Sequence, residues 1–187
     1  MAIASSYNLA LGTAAPAFNL PDTVSGKMLS LESLRSEKAT VIMFLCNHCP
    51  YVKHVNPEVV RIANEYIPKG ISFIGISSNE VAQYPEDGPE QMKRTAKALG
   101  YSFPYLYDET QDVARAYDAV CTPDFYVFDK KLRLIYHGQL DNSRASGHLP
   151  RTGKDLRSVL QCALEEKPVS ELQRPSIGCS IKWKKDF

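Results

Sequence analysis

Two cysteines separated by two residues, Cys46-Asn47-His48-Cys49, stand between an apolar run and a segment of helical spacing. No other stretch restricts the fold so far. The run at 41–45 (Val-Ile-Met-Phe-Leu) is continuous rather than alternating, which suits a strand buried on both faces. After Pro50, residues Val52, Val55, Val59, Ile62, Ala63 and Tyr66 recur at helical spacing, with Pro57 inside the pattern as an expected kink. A Cys-x-x-Cys at such a junction is a redox signature, because two intervening residues bring the thiols within reach of one disulfide. This reading sets Cys46 at the helix N-terminus, where unpaired N–H groups favour a thiolate. The thiolate is the form that attacks a disulfide.

The rest of the chain supplies a sheet and its covering helices. Residues 71–77 (ISFIGIS) read as a second buried strand. Pro89 suits the first position of a helix running to Leu99, with Gly100 just past its end. Residues 103–107 read as a short extended piece, and Asp108 or Thr110 can cap a helix through Tyr117. Segments 125–128 and 132–136 flank Asp129-Lys130-Lys131 as a hairpin, and Leu156, Val159, Leu160, Ala163 and Leu164 mark a last helix. The expected class is α/β, a central mixed sheet with helices on both faces. Residues 1–14 carry little periodicity and read as a loosely held arm, 15–165 as the domain, and 166–187 as a tail packed on it.

At 187 residues the chain fits one domain. A net charge of +1 gives no reason to expect nucleic acid or an anionic membrane as partner, and no run is long enough to span a bilayer. The first residues lack the basic and apolar regions of a signal peptide, so a cytoplasmic location is expected. Five cysteines at irregular spacing do not suggest a disulfide scaffold.

Each constellation has a bland reading beside the chemical one. Cys46 and Cys49 could be small buried hydrophobes, but their place at the junction favours a cycling dithiol. A zinc site needs two more ligands, and neither a second Cys-x-x-Cys nor a His-x3-His is present, so no metal or other cofactor is expected. Haem attachment fails because Pro50, not His, follows Cys49. His48 is either an imidazolium that stabilises the neighbouring thiolate or an exposed loop residue. Thr122-Pro123 before the hairpin is either an ordinary turn or a cis peptide. Cys121 beside it is either a third redox thiol or a packed cysteine. Cys162 lies off the apolar stripe of its helix, and Cys179 in the tail is a weak candidate for a resolving thiol.

Residues 41–50, Thr122-Pro123 and the element order together resemble the thioredoxin-like superfamily. Ala15-Pro16-Ala17-Phe18-Asn19-Leu20 and Leu31-Glu32-Ser33-Leu34 resemble its AhpC/TSA redoxin branch. Cys46-Asn47-His48-Cys49-Pro50-Tyr51-Val52, with Tyr84-Pro85-Glu86-Asp87 and residues 178–183, is similar to a bacterial peroxiredoxin-like group of that family. The resemblance implies a three-layer thioredoxin-like sandwich. It implies Cys46 as attacking thiol and Cys49 as resolving thiol, with Asn47, His48 and Pro50 in support. It implies a cis Pro123 packed against the dithiol, and Thr122 offering its backbone to a substrate strand. The chain departs from the family in two respects. No residue of a local Pro-x-x-x-Thr/Ser-x-x-Cys pattern supplies the peroxide-binding hydroxyl. Thr40 stands where thioredoxins place a buried acid.

Three functions remain in competition. The first is a thiol–disulfide oxidoreductase acting on protein or small-molecule disulfides, with an unidentified electron donor. The second is a hydroperoxide-reducing enzyme with an antioxidant role. The third is a non-catalytic binding module.

Overall fold

The protein is described by a computed structural model that covers residues 3–6 and 9–185. Strand β1 (Ile3–Ser5) precedes a small hairpin of β2 (Asn19–Pro21) and β3 (Met28–Ser30). A one-turn helix, α1 (Leu31–Leu34), follows, capped reciprocally by Ser30 and Ser33. The central elements are β4 (Ala39–Phe44), α2 (Pro50–Tyr66), β5 (Ile71–Ser77), α3 (Pro89–Leu99) and β6 (Tyr105–Tyr107). Then come α4 (Asp112–Ala116), β7 (Cys121–Thr122), β8 (Asp124–Asp129), β9 (Leu134–Gly138), α5 (Lys154–Leu164) and β10 (Ile177–Ser180).

Five strands form the main sheet in the order β6-β5-β4-β8-β9. β4 is central, parallel to β5 and antiparallel to β8, and all six of its residues are buried. Strand alternation divides the core. Val41, Met43 and Leu45 pack with α2, α3 and α5, whereas Ile42 and Phe44 pack with Ala114 and Tyr117 near α4 and Leu31 of α1. The sheet is thus mixed and covered on both faces, as the apolar runs require. Three predicted breakers act where expected: Pro50 opens α2, Pro89 opens α3, and Gly100 ends α3 in the left-handed region at φ 69°. α2 is assigned as one unbroken helix through Pro57. The Asp108 carboxylate, rather than the N-cap residue Gln111, receives the N–H groups of Val113 and Ala114 at the start of α4.

The segments near the ends carry short strands. β1, β10 and β7 form a second, antiparallel sheet of three short strands. Gly12 and Ala15 donate backbone hydrogen bonds to Leu134 and Leu132. Two to four residues are too few for a readable alternation, and the partners of β1 lie more than 170 positions away. Met1, Ala2, Tyr7 and Asn8 of the expected arm, and Asp186 and Phe187 of the tail, lie outside the described residues. Among the described residues no helix is long and apolar enough to cross a membrane.

Candidate functional site

The dithiol loop begins where β4 stops. Leu45 still bonds the sheet through its N–H to the Ile76 carbonyl, and the chain then turns through Asn47 and His48. Proline disfavours the helical region for the residue before it, so the helix starts at Pro50 and Cys49 becomes its N-cap in an extended conformation. The expectation that Cys46 sits at the helix N-terminus is thereby corrected: Cys46 lies three residues upstream, and Cys49 holds that place. Nor is Cys46 appreciably the more exposed, since Cys46 and Cys49 are 1% and 0% exposed.

The Thr122–Pro123 bond is cis, as the resemblance implied. β7 brings Thr122 against both sulfurs. Its Oγ1 lies 3.2 Å from Cys46 Sγ, and the Cys49 thiol donates to its carbonyl at 3.4 Å. A hydroxyl that no residue near the motif supplies therefore arrives from 76 positions away. The backbone edge at Thr122 that was expected to receive a substrate strand is paired with β10, in the register Cys179↔Thr122 and Ser180↔Cys121. Cys121 is buried, its thiol directed at the Pro123 carbonyl, and burial pushes its pKa up.

Beneath the loop lies a carboxylate that sequence reading missed. Asp87, fully buried at the end of the single turn Pro85–Asp87, accepts four hydrogen bonds. Oδ1 receives the backbone N–H groups of Asn47 (2.7 Å) and His48 (3.2 Å), and Oδ2 receives Asn79 Nδ2 (2.7 Å) and pairs with His48 Nδ1 (2.6 Å). Burial alone would raise its pKa, but the His48, Asn79 and Asn47 donors outweigh it and hold the carboxyl below the usual range. An ionised Asp87 places the proton of the pair on Nδ1 of His48. His48 is not an exposed loop residue: its side chain is 7% exposed and stacks on Tyr84 at 5.0 Å. Its Nε2 is buried without a hydrogen-bond partner among the described residues. Asn47 is tied down through Glu86, its side chain donating to that carbonyl, and Pro50 acts by setting the helix start. Tyr84-Pro85-Glu86-Asp87 was visible as a motif, but nothing in its spacing shows that it folds under residues 40 positions earlier.

Cys46, His48 and Asp87 offer ligand atoms within 4.8 Å of one another, the geometry of a metal half-site. Both oxygens of Asp87 are already engaged twice, however, so the carboxylate is committed to anchoring the loop.

The two thiols sit in opposite fields. Interaction with the neighbouring Cys46 thiol lowers the Cys49 pKa to about 5 against the opposing effect of burial. The Cys179 thiol, the nearby Val52 N–H and the Cys179 backbone reinforce that shift. Cys46 moves the other way: interaction with Cys49, burial and the Asp87 charge all favour its protonated form, and only the Thr122 hydroxyl opposes them. The surroundings thus lower the pKa of Cys49 and raise that of Cys46, while the neutral Cys49 thiol has an acceptor in the Thr122 carbonyl. These directions run opposite to the one expected for Cys46. Cys179 is part of the site, whereas Cys162 is partly exposed beside Val159 and Val169, as its position off the helix stripe suggested.

The AhpC/TSA family model matches residues 11–137. Over 157 residues the chain is 25% identical to a Mycobacterium tuberculosis protein named "Putative peroxiredoxin", covering 78% of this chain and 93% of that one. A crystal structure of an uncharacterized conserved protein from Geobacillus kaustophilus is 57% identical, with a TM-score of 0.98 over 100% of this chain and 99% of the other. A thiol:disulfide interchange protein of the thioredoxin family from Chlorobium tepidum shares the fold at 24% identity, with a TM-score of 0.63 over 83% of this chain and 98% of that one.

Proposed function

On the premise that the chain belongs to the AhpC/TSA family, we propose that it is a thiol–disulfide oxidoreductase that cycles Cys46 and Cys49 between dithiol and disulfide. One observation carries this reading: the two cysteines of the motif are buried together against Thr122, one sulfur 3.2 Å from its hydroxyl and the other 3.4 Å from its carbonyl, beside the cis Pro123. The Cys49 thiolate attacks a substrate disulfide, forms a mixed disulfide and releases the first half as a thiolate. Cys46 then gives up its proton and attacks Cys49 Sγ. The second half leaves as a thiol, and the Cys46–Cys49 disulfide remains. A thiol electron donor reverses the two steps. The order of attack is opposite to the one the resemblance implied, and the reason is the helix start at Pro50. The partners of this reaction are disulfides and thiols. A thiolate stabilised in the reduced state also makes the pair more oxidising.

Treating the reduced protein with oxidised glutathione tests the reading. It should yield a Cys46–Cys49 linked peptide and release two glutathione molecules per chain. Recovery of both cysteines as alkylated thiols would overturn it. Hydroperoxide reduction is a second reading, favoured by the Thr122 hydroxyl beside Cys46. A peroxidase also needs a cation near the leaving oxygen. Three arginines that could fold back are engaged elsewhere: Arg61 with Glu58, Arg115 over the Trp183 ring, and Arg133 with the Gly12 carbonyl. Peroxide consumption no faster than that of a free thiol supports the exchange reading.

A further inference from the structure

β10 is not a passive tail. It sets Cys179 directly opposite Thr122, the residue that touches both sulfurs of the dithiol. Cys46, Cys49 and Cys179 lie in one buried cluster, gathered around the Thr122 that Cys179 faces and that meets both sulfurs of the dithiol. The strand is seated by construction. A Cβ at Gly178 would stand 2.0 Å from the Thr122 carbonyl oxygen, so only a residue without a side chain lets β10 approach this closely. β1 pairs with its other edge, Ile3 opposite Cys179. Past its end, Ile181 donates to the Val120 carbonyl, and Lys182 receives the Glu80 N–H and donates to Asn79 Oδ1. Asn79 in turn donates to Asp87, so one network fixes both the dithiol loop and the strand that carries Cys179. A cysteine-bearing strand laid along an open edge is the pose of an added peptide. Here the peptide belongs to the chain itself.

We propose that Cys179 is a second resolving thiol for Cys49, an internal partner that competes with Cys46. The inference rests on the proposed attack by Cys49. Once Cys49 holds half of a substrate as a mixed disulfide, Cys179 loses its proton and attacks Cys49 Sγ. The bond from Cys49 to the substrate breaks, the substrate sulfur leaves and takes up the proton, and a Cys49–Cys179 disulfide remains. The substrate disulfide has gained two electrons, and Cys49 and Cys179 have lost two. Attack by Cys46 on that disulfide moves the bond to Cys46–Cys49 without net oxidation and returns Cys179 as a thiol. Fixing the thiol at the reacting centre in advance removes the entropic cost of bringing it there.

The test uses the full chain, oxidised glutathione as probe, and N-ethylmaleimide before peptide mapping. In Cys46→Ser, the inference predicts a Cys49–Cys179 linked peptide and release of both glutathione molecules. A stable glutathione adduct on Cys49, with Cys179 recovered as the maleimide, would overturn it. Cys46→Ala repeats the measurement if the serine variant does not fold, which circular dichroism reports. In Cys46→Ser/Cys179→Ser the adduct on Cys49 should persist, and its loss there would also count against the inference. Failure of the underlying reading looks different, since the wild-type protein would then form no Cys46–Cys49 bond.

Discussion

Cys46 and Cys49 belong to one motif, share one cluster of buried residues and touch the same threonine, yet their surroundings are opposed. Around Cys49 stand the helix N-terminus, the Val52 and Cys179 backbone N–H groups and two thiols able to donate. Around Cys46 stand the Asp87 carboxylate, the His48 ring and the Thr122 hydroxyl. The difference shows that position within a Cys-x-x-Cys is not the only influence on its sulfurs. The residue at which the helix begins, and the charge folded beneath the loop, push the two pKa values apart.

Removing each sulfur breaks the comparison most directly. Cys49→Ser should slow the first reaction with oxidised glutathione by about 10³-fold or more, the scale of losing a nucleophile. Cys46→Ser should keep that first step within about tenfold of wild type, because the attacking thiolate remains. Stopped-flow rates check both, and the reverse pattern would return the attack to Cys46. Asp87→Ala is the next largest. It strands four donors, one on buried Asn79 and three on partly buried Asn47 and His48, and unsatisfied buried groups cost about 1–3 kcal/mol each, so urea denaturation should show a loss of at least about 3 kcal/mol. A loss within the scatter of surface substitutions would remove Asp87 from its anchoring role. Gly178→Ala comes third. With its Cβ driven into the Thr122 carbonyl, β10 must shift, and Cys49 should alkylate faster than in wild type; an unchanged rate would mean that β10 does not shield the dithiol.

The pH dependence of stability sharpens the comparison further. Cys49 titrates at about 5 when folded and near 8.5 when unfolded. Between those values the unfolded chain holds a proton that the folded one lacks, so stability rises with pH. The folded pKa of Cys46 is raised, so above the unfolded value the folded chain holds the extra proton and stability falls again. The difference in unfolding midpoint between reduced wild type and Cys46→Ser/Cys49→Ser should therefore peak near about pH 8.5. A flat difference would contradict both assignments. His48 should give the smallest effect. Its ring is held by Asp87, so His48→Asn should move the reduction potential by less than about 30 mV. A larger shift would couple His48 directly to the thiolate.

The central sheet was legible because its signals are local. An unbroken apolar run, a helical repeat after Pro50 and glycine past Leu99 each act on their own neighbours. The dithiol was legible for the same reason, and its cis Thr122–Pro123 neighbour through resemblance. The identity of the helix N-cap was not, although its cause lay in view: Pro50 fixes the conformation of Cys49, which makes Cys49 rather than Cys46 the N-cap. Asp87, the Thr122 hydroxyl and Cys179 were hidden because each reaches the site by long-range folding. β10 in particular is four residues long, with Gly178 inside it, and its role exists only once Thr122 and β1 flank it.

The account turns on which sulfur carries the charge. Alkylation of the reduced protein by iodoacetamide across the pH range, read for each cysteine by mass spectrometry, measures this directly. The account predicts that Cys49 reacts with a midpoint at about pH 5, and that Cys46 stays unreactive until well above the usual thiol value. A low midpoint at Cys46, with Cys49 protonated, would contradict it.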